Sequence, residues 1–198
     1  CAKTMAESPS LPIPRTTSPL YGAQAGELAG QLATLSTEEL AKILRVNHRI
    51  AATNRLRYSR FHDDAERALP ALAAYTGIVF KRIAPADFTA GDFEYAQAHL
   101  NITSFLYGLL RPLDAIRTYR LEGHGEQTVF EYWQDKLTDA FLEKIKADDG
   151  ILVNLASSEM KRLFDWKRIC REVRVVTPEF RIREDDRLKT VVVYTKMC

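Results

Sequence analysis

Residues 106–123 read LYGLLRPLDAIRTYRLEG. The stretch sets Gly108, an apolar run, Pro112, two tyrosines and the arginines 111, 117 and 120 side by side. A surface loop has no use for the apolar residues, and a core helix has none for Arg111, Arg117 and Arg120. The stretch reads as a site. It follows a helical run, AGDFEYAQAHLNI, passes a tight turn at Ser104–Gly108 and resumes with LLRPLDAI, which predicts a helix, a glycine-containing hairpin and a second helix. Such a helix-hairpin-helix-like unit presents backbone N–H groups and a positive dipole end to a phosphate, and a glycine lets the ligand backbone come close. Tyr107 and Tyr119 are placed to stack or to hydrogen-bond. The competing reading is a buried helical turn whose arginines pair with Asp114 and Glu122.

Outward from this stretch, residues 6–22 (AESPSLPIPRTTSPLYG) are rich in Pro and Ser and show no period, which predicts an ordered arm wrapping the domain or a free linker. Ser36 with Glu39 three residues on is a capping box, and the region 36–76 is expected to be mainly helical, stopping near Gly77. GIVFKRI is β-branched and aromatic and predicts a strand. Downstream, Phe130, Trp133, Leu137 and Phe141 mark an amphipathic helix that closes at Gly150. GILVNLAS predicts a buried strand, SSEMKRLFDWKRI a helix, and REVRVVTPEFRIREDDRLKTVVVYTK an antiparallel hairpin with an acidic turn. The fold class expected is α+β (mixed α/β), a single domain over 1–198 with a central mixed sheet surrounded by helices.

Composition bounds the function. The chain has 198 residues, 46% of them hydrophobic and 27% charged, enough for one proper core. A net charge of +2 is far from a histone-like field, so any nucleic-acid contact has to come from local clustering. Cys1, Cys170 and Cys198 show no zinc spacing and no pairing pattern, which favours a reducing cytoplasm. No apolar run approaches a membrane span and no signal peptide is evident. The four histidines lack ligand spacing, and GxSxG, P-loop and GxGxxG motifs are missing. No metal and no cofactor are therefore expected.

Two further clusters carry polar candidates. NHRIAATNRLRYSR holds Arg49, Arg55, Arg57 and Arg60, with Asn54 and Tyr58 among them. At 3.6 residues per turn, positions 49, 53, 56, 57 and 60 share one side while Arg55 points away, so this is either a solvated face or a phosphate-contacting one. VNLASSEMKR turns from a strand into a helix with Asn154, Ser157 and Ser158 at the start and Lys161 nearby, an anion site or an ordinary N-cap.

CAKTM, PALAAYTGIVF, SFLYGLLRPLDAIRTYRLEG, VFEYW, LVNLASSEMK and VVVYTKMC come in the order and rough spacing of a family, and nearly the whole chain resembles it. This is the YaaA family of peroxide-stress-associated proteins, formerly a domain of unknown function; the chain looks most like its Bacteroides-like members, which carry CAKTM where others have PAKT. The resemblance implies a cytoplasmic protein that protects against hydrogen peroxide, limits oxidative damage to DNA and proteins and lowers free intracellular iron. It also implies DNA binding through a helix-hairpin-helix element and a basic cleft. The residues it marks are Lys3, Asn54, Arg55, Tyr107, Gly108, Arg111, Tyr119, Arg120, Glu122, Asn154, Ser157 and Lys196; Arg57 and Lys161 join them from the basic clusters. The family normally has a strand before CAKT and continues beyond YTKMC, so both ends are expected to be cut. The loop after YRLEG is short for the family, which leaves His124 without a reading.

Two functions follow. One is non-specific DNA binding, duplex or distorted, through phosphates. The other is an enzyme acting on a nucleotide or another small anionic molecule, with Lys3, Arg111, Arg120, Asn154 and Ser157 converging on Glu122 as candidate acid or base. Shape separates them, since an open arginine groove suits DNA and a small deep pocket suits a small ligand. No membrane partner is expected.

Overall fold

The computed structural model describes residues 4–8, 11, 13–63, 67–123, 128–184 and 187–190. Lys3, His124 and Lys196 lie outside them. Three helices open the fold: α1 (Gly22–Ala33), α2 (Thr37–Leu44) and α3 (His48–Ser59), with α3 packed on both others. Ser36 and Glu39 form the expected capping box, each side chain taking the other's backbone N–H. Asn47 caps α3 by accepting the Ile50 N–H at 2.9 Å.

The chain then makes β1 (Leu69–Pro70), α4 (Ala71–Ala74), α5 (Ile78–Ile83) and α6 (Ala90–His99). GIVFKRI is thus a helix, not the expected strand. Phe80 and Ile83, three apart, both pack against a small cluster of Leu72, Phe93 and Leu113, and only helical spacing turns them to the same side. Burial outweighed the β propensity of Ile78 and Val79, which stay exposed at 40% and 44%.

Residues 102–116 carry β2 (Ile102–Ser104), β3 (Gly108–Leu110) and β4 (Ala115–Ile116). The antiparallel hairpin of β2 with β3 after α6 agrees with the expectation. The second helix over LLRPLDAI does not, because that segment is strand, turn and strand, and the next helix begins at Thr128. Leu110 is committed to Ile102 across the hairpin. Pro112 disfavours a helical Arg111, and the Arg111 carbonyl accepts the Asp114 N–H at 3.1 Å to close a turn with Pro112 in its second position. β4 then pairs antiparallel with β1.

The long helix α7 (Thr128–Ala147) forms the spine of the core. Trp133 and Leu137 are fully buried, and Phe141 and Leu142 nearly so. They meet Tyr58, Leu106, Tyr107 and Leu110 in one continuous cluster. The Trp133 indole N–H donates to the Phe105 carbonyl at 2.8 Å, so even this large ring is polar-satisfied. Beyond α7, β5 (Ile151–Val153) runs parallel to β6 (Arg174–Val176), with α8 (Ser158–Lys161) and α9 (Trp166–Glu172) between them. β7 (Ile182–Glu184) and β8 (Arg187–Lys189) form the predicted antiparallel hairpin. Among the described residues the strands pair as four two-stranded ladders of both senses, so the α+β class is observed with its sheet divided into small pieces. β5 had read as a buried strand, yet Ile151 and Val153 are 39% and 56% exposed among the described residues.

α9 is clamped to α7 by charge. Glu172 accepts from Lys146 Nζ at 2.6 Å and from Arg168 Nε at 2.7 Å, and Arg168 also reaches Asp139 at 2.5 Å. The Lys146 hydrogen bond foremost, then that of Arg168, holds the Glu172 carboxyl down at about 2. A carboxyl depressed on folding favours the fold above its unfolded pKa, and the contribution fades as pH falls toward the folded value. Acid titration should therefore weaken the protein between about pH 4.3 and 2, with a shallower loss in Glu172→Gln, followed by circular dichroism.

Candidate anion-binding site

The residues nearest the amino terminus build one wall of the site. Thr4–Glu7 lie as a strap between segment 74–76 and segment 118–119. Met5 bridges antiparallel to Tyr75, the Ala6 N–H donates to the Ala74 carbonyl at 2.8 Å, and the Thr76 N–H donates to the Thr4 carbonyl at 3.1 Å. On the other flank the Tyr119 N–H points at Met5 Sδ at 3.4 Å, and the Thr118 hydroxyl donates to the Ala6 carbonyl at 3.4 Å. The strap ends with Glu7 against α3, where its Oε1 accepts from Arg57 Nη2 at 3.0 Å.

Beside that contact is a half-open cleft of about 180 Å³, lined by Glu7, Arg57, Arg60, Arg67, Arg117 and Thr118. Arg57 and Arg60 come from the end of α3, Arg67 from the approach to β1, and Arg117 from the residue after β4. Arg117 is firmly seated. Its backbone N–H donates to the Tyr107 hydroxyl at 2.9 Å, its guanidinium donates to the carbonyls of Asp63 and, at 3.4 Å, Arg60, and its charge lies 5.9 Å over the Phe61 ring. Carbonyl partners orient the guanidinium without neutralising it. Guanidinium groups offer planar forks that match oxyanions, so the chemistry of this lining suits holding an anion better than moving a proton.

Under the cleft is a buried chain of hydroxyls. Tyr119 Oη is 2.8 Å from Tyr75 Oη and 2.7 Å from Ser104 Oγ, and Ser104 Oγ accepts the Tyr107 N–H at 2.9 Å. Burial pushes the Tyr107 hydroxyl up to about 12 and those of Tyr75 and Tyr119 upward as well, so all three stay protonated at neutral pH. They are posts that hold the strand carrying Arg117. Tyr119→Phe should lower stability by about 1–3 kcal/mol, because it strips a partner from two buried hydroxyls; urea unfolding measures it.

The residues singled out from the sequence fall in several places. Arg57 lines the cleft. Arg55 points the other way and donates to the Leu35 carbonyl at 3.0 Å. Asn54 is 2% exposed; its Nδ2 donates to the Ile50 carbonyl at 2.8 Å, while its Oδ1 meets no donor among the described residues. Arg111 forks onto the buried Asp114, with Nη2 to Oδ1 at 2.8 Å, and reaches the Ser18 carbonyl at 3.1 Å. Arg120 is clamped to Glu122, Nε and Nη2 both meeting Oε1 at 2.9 and 2.5 Å, and the Arg120 carbonyl accepts the Tyr58 hydroxyl. The pairing of Arg111 with Asp114 and of Arg120 with Glu122 is the one the competing reading foresaw, on a turn and an extended segment instead of a helix.

Gly108 serves the fold. Its φ is +68°, and a Cβ there would sit 2.7 Å from the Trp133 ring, so protein rather than ligand fills the space its missing side chain leaves. Asn154 belongs to the β5–α8 turn, its Oδ1 accepting the Ala156 N–H at 3.2 Å and its Nδ2 donating to Thr177 Oγ1 at 3.2 Å. Ser157 is the N-cap of α8, and Lys161 Nζ lies 5.3 Å over the Trp166 ring. Arg60 and Arg67 did not stand out as a pair because seven positions separate them and only the return of the chain into β1 brings them to one cleft. The signals in the sequence were the basic run of α3 and Arg117 in the 106–123 stretch.

Among the described residues, no three His, Cys, Asp or Glu side chains gather so as to hold a metal ion, and no helix is long and apolar enough to cross a membrane. Comparison with known proteins finds relatives described as UPF0246 proteins. One from Bacteroides thetaiotaomicron is 57% identical over 203 residues, covering 100% of this chain and 79% of its own length. One from Bacteroides fragilis is 55% identical over the same span, and one from Porphyromonas gingivalis is 47% identical over 206 residues, covering 80% of its own length. The sequence pattern of the family described as peroxide stress protein YaaA matches residues 1–198 from end to end. With these matches over its whole length, the chain belongs to the YaaA family of peroxide stress proteins.

Proposed function

We propose that this peroxide stress protein binds DNA through the arginine cleft, holding phosphates with little reading of base sequence. The observation that carries the reading is the grouping of Arg57, Arg60, Arg67 and Arg117 around one cleft, with Glu7 the one carboxylate in its lining among the described residues. Contacts to phosphate position a protein on DNA without specifying sequence, and among the described residues no element of this cleft offers a side-chain row to base edges. In this reading the protein works in the cytoplasm, its bound DNA is shielded from oxidative damage, and the lowering of free intracellular iron belongs to the same response. A second reading, an enzyme or binder of a small phosphorylated molecule, draws on the cleft's volume of about 180 Å³.

The test is binding to a fluorescent duplex across a salt series. Affinity should fall steeply with salt, and Arg57→Ala and Arg117→Ala should each flatten the log–log slope by about 0.9, one phosphate contact per arginine. Arg111→Ala, which removes a guanidinium already forked onto Asp114, should leave the slope as it is. Absence of duplex binding at low salt by the folded protein would overturn the proposal.

A further inference from the structure

We infer that the thioether of Met5 is an oxidation site: hydrogen peroxide converts it to the sulfoxide, and the sulfoxide frees the Thr4–Glu7 strap from Thr118 and Tyr119. The inference goes beyond the DNA reading and stands whether or not the cleft binds duplex. Reach is the first argument. Met5 is partly exposed among the described residues, whereas Met160 is buried at 7%, and Met197 lies outside the described residues. Susceptibility to oxidants follows exposure, so Met5 reacts ahead of Met160. Its sulfur lone pair attacks one oxygen of the peroxide, and the O–O bond breaks as the S–O bond forms. Sulfur gives up two electrons, and the second oxygen, taking the proton of the first, leaves as water. The oxidant is the one for which the family is named.

What the sulfur holds is the second argument. The Met5 side chain packs against the core, and its Sδ takes the Tyr119 N–H at 3.4 Å. A thioether serves both contacts because it is largely apolar and still a weak acceptor. A sulfoxide cannot, because its polar oxygen is costly against apolar neighbours. An oxygen turned to water draws the side chain off the core and off the Tyr119 N–H. An oxygen that takes over that N–H inserts an extra atom between Met5 and Tyr119 and pushes the two segments apart.

The balance of contacts decides where the strap yields. On one flank the Ala6 N–H donates to the Ala74 carbonyl at 2.8 Å, the Thr76 N–H to the Thr4 carbonyl at 3.1 Å and the Thr76 hydroxyl to Thr4 Oγ1 at 3.0 Å. On the other flank the contacts among the described residues are weaker: the bond to sulfur, and a Thr118 hydroxyl bond to the Ala6 carbonyl at 3.4 Å, long for oxygen. Glu7 is tied to Arg57, but its side chain is 81% exposed and such pairs hold weakly. The strap therefore hinges on segment 74–76 and opens along segment 118–119, and the wall that Glu7 and Thr118 give to the cleft opens with it.

The experiment treats the full chain with hydrogen peroxide, then with a thiol reductant that recovers reversibly oxidised cysteines, and maps oxygen uptake by peptide mass spectrometry. Met5 should gain one oxygen about tenfold faster than Met160. Amide hydrogen exchange of the oxidised protein should then show the Tyr119 N–H exchanging about tenfold faster, with the Thr76 and Leu137 amides unchanged. Methionine sulfoxide reductases should restore the slow exchange, and Met5→Leu should show no change with peroxide. Met5→Gln, which puts a polar side chain at the same position, should exchange fast at Tyr119 without oxidant. Oxidation of Met5 no faster than that of Met160 would overturn the inference. So would an unchanged Tyr119 rate in protein oxidised at Met5, or a loss of protection that reaches Leu137, which is general unfolding and not release of the strap.

Discussion

Asp114→Ala should cost about 2–4 kcal/mol of folding stability, read from the midpoint of urea denaturation, one of the two largest effects expected of a single substitution in this protein. Asp114 is 1% exposed and carries a crowded carboxylate. Its Oδ1 accepts from the Thr17 hydroxyl at 2.6 Å and Arg111 Nη2 at 2.8 Å, and its Oδ2 accepts the Arg111 N–H at 2.8 Å. The backbone around it closes the same knot, since its carbonyl accepts the Ala71 N–H at 2.8 Å and Thr17 exchanges hydrogen bonds with Leu113 and Ala115. One carboxylate therefore ties the arm, the Arg111–Asp114 turn and the start of α4 together. Removing one partner of a buried pair costs about 3–5 kcal/mol, and the range here is set lower because the Arg111 side chain is 41% exposed and recovers some hydration. Asp114→Asn, which keeps an acceptor oxygen, should lose less. A cost below 1 kcal/mol for the alanine variant would show that the arm is not anchored at this residue.

Gly108→Ala should cost a similar amount, about 2–5 kcal/mol, for a different reason. Placing a side chain at φ +68° costs about 1–2 kcal/mol, and overpacking a filled core adds about 1–3. The new Cβ would lie 2.7 Å from two atoms of the Trp133 ring and 2.9 Å from Leu137 Cδ2. Trp133 is fully buried and its indole N–H is bound to the Phe105 carbonyl, so the ring has nowhere to retreat. The hairpin has to move instead, and Tyr107 moves with it. Because the Tyr107 hydroxyl receives the Arg117 N–H, the variant should also bind duplex more weakly at temperatures where it is still folded. Thermal unfolding and the duplex assay together separate this outcome from plain loss of stability. An unchanged melting temperature would mean that the packing around Trp133 tolerates a methyl group.

Much of the local structure was legible in the sequence because it depends on neighbours along the chain. The Ser36–Glu39 capping box, the period of Phe130, Trp133, Leu137 and Phe141, and the alternating runs of the carboxyl-terminal hairpin need only short-range hydrogen bonds and one buried face. GIVFKRI and LLRPLDAI read wrongly for one reason. Their conformations are set by distant partners: Phe80 and Ile83 by Leu72, Phe93 and Leu113, and Leu110 and Ala115 by the strands at 102 and 70. Pro112 and Asp114 were a turn signature in plain view, and the surrounding leucines masked it.

The site divides along the same line. The sequence by itself determined that arginines and tyrosines would crowd the 106–123 stretch, that α3 would carry a basic run, and that this chain would look like a YaaA-family protein. Which arginines share a cleft was decided by the tertiary structure. Charge is written residue by residue, but neutralisation depends on what the fold brings within about 3 Å. Folding turned Arg111 onto Asp114 and Arg120 onto Glu122, and carried Arg57, Arg60, Arg67 and Arg117 to one cleft through the pairing of β1 with β4.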